Sequence, residues 1–306
     1  MPDATGCHGR DALSRRHFVR LGALGAGGAA LAGARAPAHG QDLPPLERPP
    51  LGLVTYNVGR SMDLESLIKL AEASGLECLE LRTTHAHGVE PTLTPDERRA
   101  VRERFAQTPV RLLSLGTTCE YQSPDPAVVR QNIETTRAFL QLAEDVGALG
   151  VKVRPNGLPE GVPVEQTLRQ IAEALRECAD FAGEHNAEVW LEVHGAGTSG
   201  LPHIRTIMET ARHPRLGVTW NCNASDLTDG SIGRSLLLVR DWTRALHIHD
   251  LYSADYPWRE LFALLVETRF DGWALCEMEE SADPQRVMRY YRALYDALWS
   301  EAARAA

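Results

Sequence analysis

Ala187-Glu188-Val189-Trp190-Leu191-Glu192-Val193-His194-Gly195 is the stretch whose reading decides the rest of the chain. Its centre is apolar and favours a strand, and it stops at a glycine. Glu192 and His194 stand two positions apart, so on a strand both side chains leave by the same face. A carboxylate and an imidazole at a strand's end can hold a metal; a buried strand whose last polar residues are simply solvated would read the same way. Three later stretches finish alike, and that shifts the balance toward a site: Gly217 to Asn223 with Asn221, Ala245 to Asp250 with His247 and His249, and Trp273 to Glu279 with Glu277.

Outward from that stretch, short apolar runs alternate with amphipathic ones. Strands are expected at Leu51 to Tyr56, Leu76 to Leu81, Val110 to Leu115 and Gly150 to Arg154, ahead of the four stretches above. Helical spacing fills the intervals: Leu64 to Ala73, Thr94 to Phe105, Val128 to Val146, Val164 to Gly183, Leu201 to Ala211, Ser231 to Trp242, Trp258 to Thr268 and Gln285 to Ala302. Thr94-Pro95-Asp96-Glu97 has the composition of a capping box with proline in the first turn. Eight strand-helix units without a second cluster of strands predict an α/β fold, a parallel (β/α)₈ TIM barrel. A doubly wound open sheet is the runner-up, and no G-x-G-x-x-G after the first strand supports it.

The chain has 306 residues, 43% of them hydrophobic, enough for one substantial core. A formal net charge of -9 disfavours nucleic acid and anionic lipid as partners. Of the six cysteines, Cys7 lies in the leader, and Cys78, Cys119, Cys222 and Cys276 fall in apolar runs as small buried thiols. Ser14-Arg15-Arg16-His17-Phe18-Val19-Arg20, followed by a weakly apolar segment and small residues, reads as a twin-arginine export signal over 1–38. The expected partner is the twin-arginine export machinery, and the expected location is the periplasm. Residues 39–50 read as a Pro-rich tether and 51–306 as the barrel, with no stable membrane span after processing.

In such barrels chemistry gathers where strands finish. The second strand ends Glu80-Leu81-Arg82-Thr83-Thr84-His85-Ala86-His87, and the fourth ends Lys152-Val153-Arg154. Lys152 and Arg154 either serve the reaction or neutralise barrel carboxylates such as Glu80. His85 and His87 lie in a loop where solvent exposure and function are both open. The convergence of Glu192, Asn221, His247 and Glu277 on the last four strands carries more weight than any single member.

With these residues in view, the chain resembles the xylose-isomerase-like barrel superfamily, which includes ketose 3-epimerases, hydroxypyruvate isomerases, the endonuclease IV group and keto-glycoside lyases. The resemblance implies one divalent ion held by Glu192, Asn221, His247 and Glu277. Asn221 is a departure, because epimerases of this group carry Asp there. Three oxygen donors and one imidazole suit Mn²⁺ first, with Co²⁺, Zn²⁺ or Mg²⁺ as alternatives. Two further departures touch the substrate: Ala224 stands where the epimerases have His, and Ser253 where they have Arg.

The resemblance implies a metal-dependent isomerase or epimerase that abstracts a proton beside a sugar carbonyl, with the ion stabilising the enediolate oxygen. Glu192 and Glu277 are the expected proton carriers, with Lys152 or His194 as a further acid. Arg82, His85, His87, Arg154, Asn223 and His249 are the expected substrate contacts. A 3-keto-glycoside lyase working through the same intermediate is the first alternative, and a sugar-binding barrel without catalysis the second.

Overall fold

Along Glu188–Glu192 successive side chains alternate between the helix layer and the barrel interior. The computed structural model describes residues 46–306; the twin-arginine leader and most of the proposed tether lie outside the described residues. Strands β1 (Leu51–Val54), β2 (Cys78–Arg82), β3 (Arg111–Glu120), β4 (Gly150–Arg154), β5 (Glu188–Glu192), β6 (Leu216–Asn221), β7 (Thr243–Ile248) and β8 (Trp273–Cys276) form one closed barrel in sequence order. All neighbours are parallel, and β8 pairs back onto β1. The open-sheet alternative is excluded.

Helices α1 (Leu64–Ser74), α2 (Pro95–Ala106), α3 (Pro126–Val146), α4 (Val164–Glu184), α5 (Leu201–Ala211), α6 (Gly233–Val239), α7 (Trp258–Glu267) and α8 (Pro284–Ala305) intervene between strands and close the chain. Their starts follow local chemistry. Thr94 accepts from Glu97 N while Glu97 reaches back to Thr94, completing the capping box. Asp125 accepts from Ala127 N with Pro126 in the first turn, so α3 begins two residues before the apolar periodicity does. The expected helix at Ser231 to Trp242 is shorter: it ends at Val239 and tightens into a 3₁₀ turn at Arg240–Trp242. β3 runs five residues past Leu115, because pairing with β4 resumes at Glu120 after a register shift beyond Gly116.

The barrel's floor is apolar. Cys78, Leu113, Trp190, Ala245 and Leu275 pack together there. Trp190 is the large member, and its neighbours give way to it: a Cβ on Gly150 would stand 2.7 Å from the indole, and one on Gly217 would stand 2.9 Å from it. All five cysteines of the described residues are free and buried. Residues 46–50, which composition gives to the tether, are docked on the barrel. Arg48 pairs with Glu77 at 2.8 Å and Asp296 at 3.1 Å, and Tyr295 donates to the Pro49 carbonyl. Among the described residues no helix is long and apolar enough to cross a membrane.

Candidate metal centre and active site

Two residues above Trp190 on β5, Glu192 enters the interior, and from there the filling is charged. Glu80 from β2, Lys152 from β4, Glu192 from β5 and His247 from β7 are all buried, and Glu277, just past β8, is nearly so. His247 lies at the centre. Its Nδ1 is 3.2 Å from Glu192 Oε1 and 3.4 Å from Glu277 Oε2, and its Nε2 is 3.3 Å from Glu80 Oε1. Close as they are, none of these contacts is aligned as a hydrogen bond: both ring nitrogens, Glu80 Oε1 and Glu277 Oε2 are buried without a partner. Unpartnered buried donors and acceptors are costly, so groups left this way beside one another point to something that satisfies them together.

A divalent cation fits that requirement. One ligand atom each from Glu192, His247 and Glu277 lie within 4.8 Å of one another. Charge agrees: Glu80, Glu192 and Glu277 contribute three negatives and Lys152 one positive, leaving two to balance if His247 is neutral. Glu80 faces the ring nitrogen directed away from the cluster and accepts from Ser114 Oγ at 2.7 Å. A carboxylate so placed sets which imidazole nitrogen keeps its proton and leaves Nδ1 for a metal. Among the protein groups alone, burial works against a charge on His247, but the charge of Glu80 and the contacts with Glu192 and Glu277 outweigh it. The imidazole is held well above its usual range. Burial likewise opposes the charge on Glu192, yet Lys152 and then His247 hold this carboxyl well below its usual range.

Lys152 donates from Nζ to Glu192 Oε2 at 2.6 Å. The barrel carboxylate that Lys152 pairs with is thus Glu192 rather than Glu80. Arg154 pairs with Glu120, whose Oε1 also accepts from Asn156 Nδ2. His194 sits above Glu192 with its Nδ1 2.9 Å from Asn156 Oδ1, and burial moves its pKa down. Gly195 makes that approach feasible: it takes φ +91°, and a Cβ there would come within 2.5 Å of the Asn156 backbone. Asn221 stands beside the cluster, its Nδ2 3.3 Å from Glu192 Oε1 and its Oδ1 accepting from His249 Nε2 at 2.9 Å.

Val54, Tyr56, Arg82, Lys152, Arg154, Glu192, His194, Asn221, His247 and Glu277 line the cavity at the barrel mouth. Four expected substrate contacts lie outside that lining. His87 spends both ring nitrogens on its own loop, donating from Nε2 to the Arg82 carbonyl and accepting from Val89 N. His85 packs near Thr55, and burial followed by the charge of Arg82 moves its pKa down to about 4. Asn223 Nδ2 donates to the Asn221 and Val193 carbonyls, which fixes the end of β6. His249 acts on Asn221 and on the Glu277 carbonyl. Residues beyond the expected set also belong here: Tyr56 at the rim, Glu120 beneath Arg154, and Glu80 behind His247. Glu80 was signalled, since Cys78, Glu80 and Arg82 alternate onto one face.

Comparison with curated protein sequences finds no significant match. Among solved structures, 3-keto-D-glucoside 4-epimerase from E. coli superposes with a TM-score of 0.69 at 12% identity, covering 82% of this chain and 100% of that one. An L-ribulose 3-epimerase gives 0.72 at 14% identity, over 83% and 96%. The IOLI protein, crystallised with a bound zinc atom, gives 0.64 at 14% identity, over 83% and 97%. At such identities the likeness speaks to fold. The family profile described as xylose isomerase-like TIM barrel matches residues 68–295, three quarters of the sequence, and this chain belongs to that family.

Proposed function

We propose that this protein is a divalent-metal-dependent sugar isomerase or epimerase that moves a proton next to a carbonyl. The observation that carries the reading is the group of buried, mutually close ligand atoms on Glu192, His247 and Glu277, with His247 and Glu277 Oε2 left unpartnered, at the mouth of a barrel. The sugar epimerases among the solved relatives, and the zinc in one relative, support it. Glu192, His247 and Glu277 would hold the ion, with Asn221 as the fourth donor. When bound, a divalent cation there polarises a carbonyl and the hydroxyl beside it.

The protein's own groups divide the remaining work unequally. Glu192 has one oxygen taken by Lys152 and is strongly acidic, which suits a ligand better than a base. Glu277 Oε2 accepts no hydrogen bond and the residue lines the cavity, so it takes the proton. Lys152 Nζ, in the same lining, stands ready to return one. His194 and Arg154 orient the hydroxyls above.

Two observations keep a keto-glycoside substrate, and the lyase outcome, in play. Ala224 opens a short turn after β6, and Ser253 donates to Asp255 in its own loop, so neither supplies a contact like those of the ketose epimerases. A keto-glucoside enzyme also stands among the solved relatives. Incubation of Mn²⁺-loaded protein in D₂O with a free ketose and with a 3-keto-glycoside separates the outcomes. Deuterium in a rearranged, intact sugar identifies isomerisation or epimerisation, and a freed aglycone identifies the lyase. Glu277→Gln should lower exchange by roughly 10²–10⁴-fold. Sugar binding without any exchange would leave a non-catalytic binding barrel. Export through the twin-arginine pathway is proposed on Arg15 and Arg16; replacing both by Lys should leave the protein in the cytoplasmic fraction.

A further inference from the structure

We infer that the substrate of this site carries an anionic group, and that Arg82 is the residue that binds it. The inference rests on the sugar-carbonyl reading above and adds the substrate's charge. Three cations line the cavity. Lys152 is matched by Glu192, and Arg154 by Glu120. Arg82 has no carboxylate partner among the described residues; its guanidinium makes one hydrogen bond, from Nη1 to the Thr83 carbonyl at 3.3 Å. The acid of the same loop, Glu90, is occupied elsewhere, accepting from Thr83 Oγ1 at 2.9 Å and from Thr84 N at 2.5 Å.

Arg82 is nevertheless held in place. Its backbone N–H donates to Thr55 Oγ1 at 3.0 Å, its carbonyl accepts from His87 Nε2 at 2.8 Å, and its guanidinium lies over the Tyr56 ring, 5.3 Å from the centroid. The His87 contact thus acquires a purpose: it fixes the strand end that presents Arg82. The cavity floor comes to zero charge once a divalent ion joins Glu80, Glu192, Glu277 and Lys152, so the rim's surplus is the single positive charge of Arg82. A guanidinium offers five donors in a planar fork. A neutral sugar filling the cavity would meet these donors with uncharged oxygens and leave the charge unmatched, whereas a carboxylate or phosphate would take two at once and balance it.

Three probes decide the matter by calorimetric titration of the Mn²⁺-loaded full chain: a ketohexose, the same ketose oxidised to a terminal carboxylate, and the same ketose bearing a terminal phosphate. At least one anionic form should bind about tenfold or more tightly than the neutral one, and the better of the two identifies the source of the charge. Arg82→Met should collapse that preference to within about twofold, and Arg82→Lys should retain part of it. Raising the salt concentration should weaken the preference in the wild type. Equal binding of all three ketoses, or a preference that survives in Arg82→Met, overturns the inference; in the second case the anion is read by the ion or by Arg154. Should Arg82→Met fail to melt cooperatively, the Arg82→Lys series and the salt dependence carry the decision. Binding is read without turnover, so absence of proton exchange in D₂O would fell the enzymatic reading and leave this measurement standing.

Discussion

The floor and the mouth of this barrel are built from the same strands, two residues apart, yet they follow opposite rules. On β5, Trp190 faces inward among Cys78, Leu113, Ala245 and Leu275, and the structure yields to it by placing glycines at 150 and 217. One step up, Glu192 faces inward among Lys152, His247 and Glu277, where several polar atoms are left unpartnered. The floor is satisfied by shape within the chain. The mouth leaves buried polar atoms that the chain itself does not satisfy. Stability and chemistry are therefore stacked along one strand, and the contrast can be attacked from either end.

The largest effect is expected at the floor. Trp190→Ala removes a fully enclosed indole that Gly150 and Gly217 cannot replace, and should cost about 3–5 kcal/mol of stability in denaturant titration. A loss below about 1 kcal/mol would mean the floor is not where the barrel's stability resides.

A second contrast lies between two buried carboxylates. Glu192 is held acidic by a lysine, whereas Asp226 in the turn after β6 meets only neutral donors: Trp220 Nε1 at 2.8 Å, Tyr256 Oη at 2.9 Å and Asn223 N at 2.9 Å. Burial wins there, and the Asp226 carboxyl is pushed up to about 6. A folded pKa above the unfolded value of 3.8 gives a stabilising contribution that is fully present below that value. It fades as pH rises through about 6. At roughly 1.4 kcal/mol per unit, the wild type should lose about 2 kcal/mol relative to Asp226→Asn between about pH 4 and pH 7. Parallel stability curves for the two proteins would show that Asp226 stays ionised throughout.

Glu80 tests the mouth without replacing any of the proposed metal ligands. Glu80→Gln keeps the volume and weakens the hold on His247 Nε2, so divalent-metal affinity should fall about 10–100-fold by chelator competition. An unchanged affinity would reduce Glu80 to a filler of the barrel interior.

Much of this was legible in the sequence, and the reasons for the remainder are physical. Alternation on strands assigned Glu192, His194, Arg154 and Arg82 to the interior, because a side-chain period of two holds along any regular stretch of strand. The eightfold succession of strands and helices gave the closed barrel. What alternation does not carry is depth. Each strand is staggered relative to the next around the barrel, so Glu80 on the second strand reaches the level of His247, and no count along the chain reveals that depth. His87 was misplaced for another reason: an imidazole that satisfies its own loop backbone has the same sequence signature as one that meets a substrate. Arg48 shows the converse, a residue in a Pro-rich segment whose partners, Glu77 and Asp296, lie far off in sequence.

Asn221 offers the smallest effect and the finest test. His249 faces two oxygens, the Glu277 carbonyl from Nδ1 and Asn221 Oδ1 from Nε2, and a neutral imidazole has a proton for only one of them. Turning the Asn221 amide over would give Nε2 a donor from Nδ2, leave the Nδ1 proton on the Glu277 carbonyl, and face Oδ1 toward Glu192 and the ion. A neutral His249 thus favours the ligating orientation of the amide. Aspartate at this position needs no such choice, and it adds a negative charge beside Glu192 that only a cation relieves. Asn221→Asp should bind a divalent ion about tenfold more tightly, ~1.4 kcal/mol. It should also melt lower than wild type in chelator and gain more from added metal. An affinity unmoved by the substitution would place Asn221 outside the coordination sphere, and the ion would then rest on Glu192, His247 and Glu277 alone.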